Sequence, residues 1–401
     1  MMQVITPQKL SGAVQIPPSK SQAHRAVIAA CLAGGCSYIQ NLAFSEDIAA
    51  TVNAMQIFGA KINRGENAVT VIGSKPEPPE NALIDCCESG STLRFLIPLA
   101  FIAGKPVRFT GRGRLPERPL DPYYEICKQD GIITRREGNE LFFCGTLQGG
   151  TYRLPGNISS QFITGLLFAL PLLKKDSVIE LTTPLESAGY VDMTLGILSQ
   201  YGICVKNENY KRFIVPGNQS YTPCDLTVEG DYSQAAFYLC ANAMGSHVRV
   251  QGLNPDSCQG DKEIISIIER FGSPLKGTTI DVSQVPDLVP VLAVLASQAE
   301  GETRIINAGR LRIKESDRLQ TVTEMLSALG AQITEGEDFL LIRGTHGLKG
   351  GCVNSHNDHR IAMAAAIAAT VASNPVTICD SECVAKSYRN FWDDYHRLCG
   401  R

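Results

Sequence analysis

The feature that most restricts how this chain can fold is that it repeats. A small polar cluster stands directly ahead of a long apolar run six times. Ser19-Lys20-Ser21 leads into Ala26–Leu32, Ser89-Gly90-Ser91-Thr92 into Leu93–Ala103, and Ser159-Ser160-Gln161 into Phe162–Leu173. Asp231-Tyr232-Ser233 leads into Ala235–Met244, Pro286-Asp287 into Leu288–Ala296, and Asp358-His359-Arg360 into Ile361–Ala372. With Ser19, Ser89, Ser159, Asp231, Asp287 and Asp358 as markers, the steps are 70, 70, 72, 56 and 71 residues. Serine or aspartate just before an apolar-periodic stretch is a helix-start signal. Six such starts offer six sets of unpaired N–H groups at the positive ends of helix dipoles.

A second element keeps the same step. Acidic residues open, and glycines close, amphipathic stretches from Glu46-Asp47 to Gly59, Asp121 to Gly131, Asp192 to Gly202, Asp261 to Gly272 and Asp317 to Gly330, with a sixth copy around Ser387–Arg397. The acids suit helix starts and the glycines left-handed C-caps. Short β-branched or alternating runs lie between, at 68–72, 141–144, 177–182, 212–216, 246–251, 303–307, 339–343 and 375–379. Each unit therefore reads strand, helix, strand, helix, then a pair of strands. Its first helix, apolar all round, is expected inside a shell of strands, and its second helix at the surface. At 401 residues two domains are the natural division, and the Pro216–Pro223 stretch falls after three units.

Bulk properties exclude several classes. A net charge of −3 gives no general reason to hold nucleic acid or an acidic membrane. The longest apolar runs fall short of the ~20 residues that span a bilayer, and no basic leader precedes an apolar segment at the N-terminus. The 14 cysteines contain no C-x-x-C pair, so zinc is not indicated and free thiols in a reducing cytoplasm are expected.

Cations gather at the repeat markers instead. Lys20 and Arg25 flank the first helix start, Arg118 lies in a loop bounded by Gly111, Gly113 and Pro116, and Arg360 stands at the last start with Lys386 beyond it. Lys314 and Arg318, four apart, share a helix face with Glu315 one step round. Each group alone reads as well as a solvated, capped helix start. Together they are expected to face whatever lies between the two halves, as a local grip for small anions. Asp287, ahead of a long apolar helix, is either a plain N-cap or a carboxyl raised toward the range of a base by desolvation.

The pieces S-K-S-x-x-x-R (19–25), S-G-S-T-L-R (89–94), S-S-Q (159–161), K-E-S-D-R (314–318) and N-D-H-R (357–360), with Leu115–Pro119, Ser187, Tyr190, Asp287 and Lys386, come in order across essentially the whole chain. As a set they resemble the bacterial 3-phosphoshikimate 1-carboxyvinyltransferases of the enolpyruvyl transferase family. That resemblance implies a two-domain inverted α/β barrel of six βαβαββ units, three per domain, over 14–225 and over 1–13 plus 226–401. It implies transfer of the enolpyruvyl group of phosphoenolpyruvate to the 5-hydroxyl of shikimate 3-phosphate, with release of phosphate, on the shikimate pathway to chorismate and the aromatic amino acids.

The implied roles follow residue by residue. Lys20, Ser21, Arg25, Ser159, Ser160, Gln161, Ser187, Asp287 and Lys314 would hold shikimate 3-phosphate. Lys20, Gly90, Arg118, Gln161, Arg318, His359, Arg360 and Lys386 would hold phosphoenolpyruvate. Asp287 would be the base for the 5-hydroxyl, and Glu315 or Lys20 would move the proton at the methylene carbon. No metal or organic cofactor, nucleic acid or membrane partner is implied, and the enzyme is expected to be a cytoplasmic monomer. Cys87, Phe95, Arg310 and Arg389 depart from common family residues without removing a catalytic group. The sister enzyme acting on UDP-N-acetylglucosamine would want a cysteine where Gly113 stands. A nucleic-acid-end enzyme of related fold would want a basic surface, and a binding protein without activity would have lost Asp287, Lys314 or Glu315.

Overall fold

The computed structural model describes residues 1–345 and 347–400. These separate into two compact units, one of residues 18–229 and one of residues 1–17 with 230–401.

In the first unit three helices are buried along nearly their whole length: α1 (Lys20–Leu32), α3 (Gly90–Ala103) and α5 (Ser160–Ala169). Around them run α2 (Glu46–Ile57), α4 (Asp121–Asp130) and α6 (Ala188–Gln200), each with one buried face. Three four-stranded sheets complete the shell. In the second repeat, Ala82–Asp85 runs parallel to Val107–Thr110, which is antiparallel to Glu140–Cys144, itself antiparallel to Ile133–Glu137. The third repeat is built the same way from Gly150–Leu154, Ser177–Leu181, Arg212–Val215 and Lys206–Glu208.

The other unit follows suit with α7 (Tyr232–Ala243), α9 (Val289–Ala296) and α11 (His359–Ala369) inside. Flanking them are α8 (Ile264–Phe271), α10 (Arg318–Ala328) and α12 (Phe391–Leu398). The apolar positions Leu319, Val322, Met325, Leu326 and Leu329 are all buried, as their helical spacing predicts.

Two repeats depart from the pattern of four strands and two helices. Among the described residues the fourth has no closing strand pair: after α8 the next strand, Thr279–Asp281, already opens the fifth repeat. That omission is the physical origin of the short 56-residue step. Among the described residues the sixth also lacks a closing pair, and Met2–Ile5 lies antiparallel to Val376–Cys379 in its place. The opening strands of the first and fourth repeats are exchanged. Ser11–Gln15 runs parallel to His247–Gln251 in the fourth, while Leu226–Thr227 runs parallel to Ile39–Gln40 in the first.

The central helices approach one another closely, and one glycine permits it. A Cβ on Gly165 of α5 would lie 2.3 Å from the Arg94 carbonyl oxygen and 2.3 Å from the Tyr123 hydroxyl. That carbonyl is available because Pro98, four residues on, has no N–H to give it; Tyr123 Oη donates to it instead at 2.6 Å. Gly165→Ala is therefore expected to destabilise the protein by about 1–3 kcal/mol through overpacking. Urea unfolding would register this as a lower midpoint at unchanged slope, and an unchanged midpoint would count against the account.

Candidate active site

Five of the six marker residues do what their type dictates. Ser19, Ser89, Ser159, Asp231 and Asp358 are N-caps whose side chains accept from a backbone N–H two or three residues on. The sixth does not. Asp287 lies inside a single 3-10 turn, Pro286–Leu288, and Leu288 occupies the cap position of α9.

Freed from capping, the Asp287 carboxylate gathers cations. Lys314 Nζ donates to Oδ1 at 3.2 Å, Arg318 Nη1 to Oδ1 at 2.9 Å, and Arg360 Nη2 to Oδ2 at 3.0 Å. Arg360 Nη1 also reaches the Asp287 carbonyl oxygen at 3.1 Å, and Arg360 Nη2 the Ser233 hydroxyl at 3.1 Å. The expectation that desolvation raises this carboxyl is therefore corrected. Burial does push it upward, but Arg360, Lys314 and Arg318 outweigh burial and hold it well below the usual carboxylate range. Burial lowers the Lys314 ammonium in turn, against the pull of Asp287.

Arg318 is the buried centre of this cluster, with its side chain 1% exposed. Besides Asp287 it donates to Glu315 Oε2 at 2.7 Å and to Asp358 through Nε at 2.8 Å and Nη2 at 3.3 Å. Those carboxylates use four of its five N–H groups, which leaves one Nη1 hydrogen for an incoming anion. His359 is buried at the start of α11, and Lys386 Nζ donates to the Asn357 carbonyl oxygen at 2.7 Å. Asp287, Lys314, Glu315, Arg318 and Arg360 thus form one connected ion cluster, and Asp358, which the sequence marks only as a cap, is also a member.

The 18–229 unit has its own cluster around the starts of α1, α3 and α5. Gly90 opens α3, and a Cβ there would lie 2.8 Å from Arg118 Nη1 and 3.3 Å from Gln161 Oε1. Glycine is what lets a guanidinium lie over that helix start. Arg94 Nη1 donates to Gln161 Oε1 at 2.7 Å, and Gln161 Nε2 to Ser91 Oγ at 3.0 Å, which ties α5 to α3. Arg25 is buried and turned inward: Nε donates to Thr194 Oγ1 at 2.8 Å, Nη1 to the Ser21 carbonyl at 2.7 Å and Nη2 to the Tyr190 carbonyl at 3.0 Å. Ser160 and Ser187 are buried as well. Ser187 holds a left-handed backbone (φ 57°) ahead of α6, a conformation that costs a non-glycine residue on the order of 1 kcal/mol or more. Lys20 Nζ pairs with Asp47 Oδ2 at 2.8 Å. The sequence marks Asp47 only as a helix-start acid, because its partner lies 27 residues away.

Each unit thus concentrates arginine and lysine at helix starts on a chain of net charge −3, the arrangement of a protein that handles small polyanions. Known proteins narrow the class to a family. The family model of EPSP synthase (3-phosphoshikimate 1-carboxyvinyltransferase) matches residues 4–395, and the chain belongs to that family. It is 50% identical to the 3-phosphoshikimate 1-carboxyvinyltransferase of Clostridium perfringens over 415 residues, covering 99% of this chain and 98% of the relative. It is 49% identical to that of Clostridium kluyveri over 412 residues, covering 99% and 97%. Among solved structures, an EPSP synthase from Acinetobacter baumannii superposes with a TM-score of 0.83 at 25% identity, covering 99% of this chain and 98% of that one. The enolpyruvyl transferase NikO from Streptomyces tendae shares the fold, with a TM-score of 0.81 at 19% identity, covering 99% and 97%.

Proposed function

We infer that this chain transfers the enolpyruvyl group of phosphoenolpyruvate to the 5-hydroxyl of shikimate 3-phosphate and releases phosphate. The observation that carries the mechanism is the Asp287 carboxylate held by Lys314, Arg318 and Arg360. Arriving phosphate and carboxylate groups compete for those three cations. As the cations turn to the ligands, Asp287 loses the charges that depress it and becomes basic enough to accept the proton of the 5-hydroxyl.

The hydroxyl oxygen then bonds to C2 of phosphoenolpyruvate while C3 takes a proton. Glu315, beside Arg318, delivers that proton, with Lys20 as the other candidate. The resulting carbon carries methyl, carboxylate, phosphate and the new ether. Removal of a methyl proton by the same group, with departure of phosphate, restores the double bond. Arg118, Arg318, Arg360, His359, Lys386, Gln161 and the Gly90 N–H hold phosphoenolpyruvate, and arginine forks suit both its carboxylate and its phosphate. Lys20, Ser21, Arg25, Ser159, Ser160, Gln161, Ser187 and Lys314 hold shikimate 3-phosphate. Charge that develops in both steps is stabilised by cations already in position.

No described helix is long and apolar enough to cross a membrane, and the same reading has the enzyme act in the cytoplasm as a monomer. A phosphate-release assay with phosphoenolpyruvate decides the acceptor. Turnover is expected with shikimate 3-phosphate and none with UDP-N-acetylglucosamine; the reverse pattern would overturn the assignment.

A further inference from the structure

A line of buried hydroxyls in the 18–229 unit has no part in the chemistry above. His24 on α1, Thr51 on α2 and Thr92 on α3 are fully buried, and Ser89, the cap of α3, is 1% exposed. They touch in series. His24 Nδ1 lies 2.7 Å from Thr51 Oγ1, Thr51 Oγ1 lies 2.7 Å from Thr92 Oγ1, and Thr92 Oγ1 lies 2.7 Å from Ser89 Oγ. The Thr92 N–H also donates to Ser89 Oγ at 3.1 Å. Thr92 Oγ1 approaches the Asp47 carbonyl as well, but at 3.5 Å that contact is too long to compete.

The direction of these bonds can be worked out. Each hydroxyl has one proton; Thr92 Oγ1 donates its proton to Ser89 Oγ, so the contact with Thr51 needs the Thr51 proton and the contact with His24 a proton on Nδ1. If they ran from Ser89 to His24, Nδ1 would accept and a neutral ring would carry its proton on Nε2. Nε2 is buried and has no hydrogen-bond partner among the described residues, so that order strands an N–H away from water and leaves its desolvation uncompensated. The opposite order leaves only a bare lone pair there. The ring has one proton to place, because burial and the neighbouring cations Lys20 and Arg25 hold its imidazolium well below the usual histidine range. The protons therefore run from His24 Nδ1–H through Thr51 and Thr92 to Ser89.

Ser89 Oγ then accepts twice and keeps its own proton, for which no described residue supplies an acceptor. This hydroxyl caps the helix on which Gly90 makes room for the Arg118 guanidinium. We propose that Ser89 donates its hydroxyl to the anionic group held at the start of α3, and that His24, as the Nδ1–H tautomer, with Thr51 and Thr92, is a positioning chain that aims it. The identity of that anion as phosphoenolpyruvate rests on the proposed function.

Thr51→Val, which keeps the side-chain shape and breaks the chain at its middle, tests this in the full-length enzyme. The KM for phosphoenolpyruvate is expected to rise roughly tenfold, the loss of one hydrogen bond to a charged group, with the KM for shikimate 3-phosphate within about twofold of wild type. Thr51→Ser, which restores the hydroxyl, is expected to return both to wild-type values. Equal effects of Val and Ser, or a parallel rise in both KM values, would overturn the proposal. If Thr51→Val does not fold, Ser89→Ala carries the same expectation at the other end of the chain. Nitrogen NMR of histidine-labelled wild-type protein reads the tautomer directly, and an Nε2–H signal for His24 would refute the chain's direction. That spectrum needs no turnover. A wild-type enzyme silent toward both acceptors, yet showing the Nδ1–H signal, would therefore fault the assigned reaction and not the chain.

Discussion

Replacing Asp287 with alanine is expected to lower kcat by about 10²–10⁴-fold, the range for loss of a general base, without weakening the binding of phosphoenolpyruvate. The second half of this expectation comes from the ion cluster. Asp287 neutralises parts of Lys314, Arg318 and Arg360, so its removal leaves those cations more available to an anion. Steady-state kinetics paired with titration calorimetry would separate the two effects. Turnover near the wild-type level would remove Asp287 from the chemistry, and a large loss of affinity would remove the competition argument. The pH profile gives an independent check. The free-enzyme carboxyl is held well below the usual range by its three cations, whereas in the ternary complex those cations are shared with ligand. The acid limb of kcat should therefore lie at higher pH than that of kcat/KM, since the first reports the complex and the second the free enzyme.

The largest stability effect is expected from Asp358→Ala. Asp358 is fully buried and accepts from Arg318 Nε, Arg318 Nη2, Ser316 Oγ and the Arg360 N–H. Truncation would leave the buried Arg318 short of a counter-charge and would uncap α11. Breaking a buried pair in this way costs about 3–5 kcal/mol, readable as a fall in the urea midpoint; a loss under about 1 kcal/mol, the level of an exposed pair, would contradict the account. Arg318 depresses the folded-state value of this carboxyl against the effect of burial. A depressed carboxyl contributes stability that is present above the unfolded value of about 3.9 and is lost as pH falls through the folded one. The wild type should therefore lose stability steeply below about pH 4, and the variant should lack that part of the slope.

What could be read from the sequence followed from the range of each interaction. Helix starts at Ser19, Ser89, Ser159, Asp231 and Asp358 were legible because a cap bonds two or three residues along the chain, a local event with a local signature. Asp287 carries the same signature and does something else, since its partners lie 27, 31 and 73 residues away. Apolar periodicity marks the central helices and several interior strands, among them Ala68–Ile72, Glu140–Cys144 and Ser177–Leu181, but not the interior strands Cys36–Gln40 and Val107–Thr110. Edge strands such as Lys61–Arg64 and Leu226–Thr227 were not visible, being short and exposed on one side. The His24–Thr51–Thr92 series leaves no signal in the sequence for a related reason. None of its members is unusual for a helix interior, and only the packing of α1, α2 and α3 brings them into line.

The exchanged opening strands bear on how the polypeptide is made. Cys36–Gln40 leaves the ribosome well before Leu226–Thr227, the neighbour that completes its sheet, 187 residues later. At ordinary rates of synthesis that gap is roughly 10–40 s. Ser11–Gln15 waits longer still for His247–Gln251, and Met2–Ile5 for Val376–Cys379. During translation these early segments present unsatisfied strand edges, the condition under which nascent chains engage chaperones or one another. Slow stretches of messenger within the first half would prolong that exposure, whereas the second and third repeats, whose strands are supplied locally, would be indifferent to them.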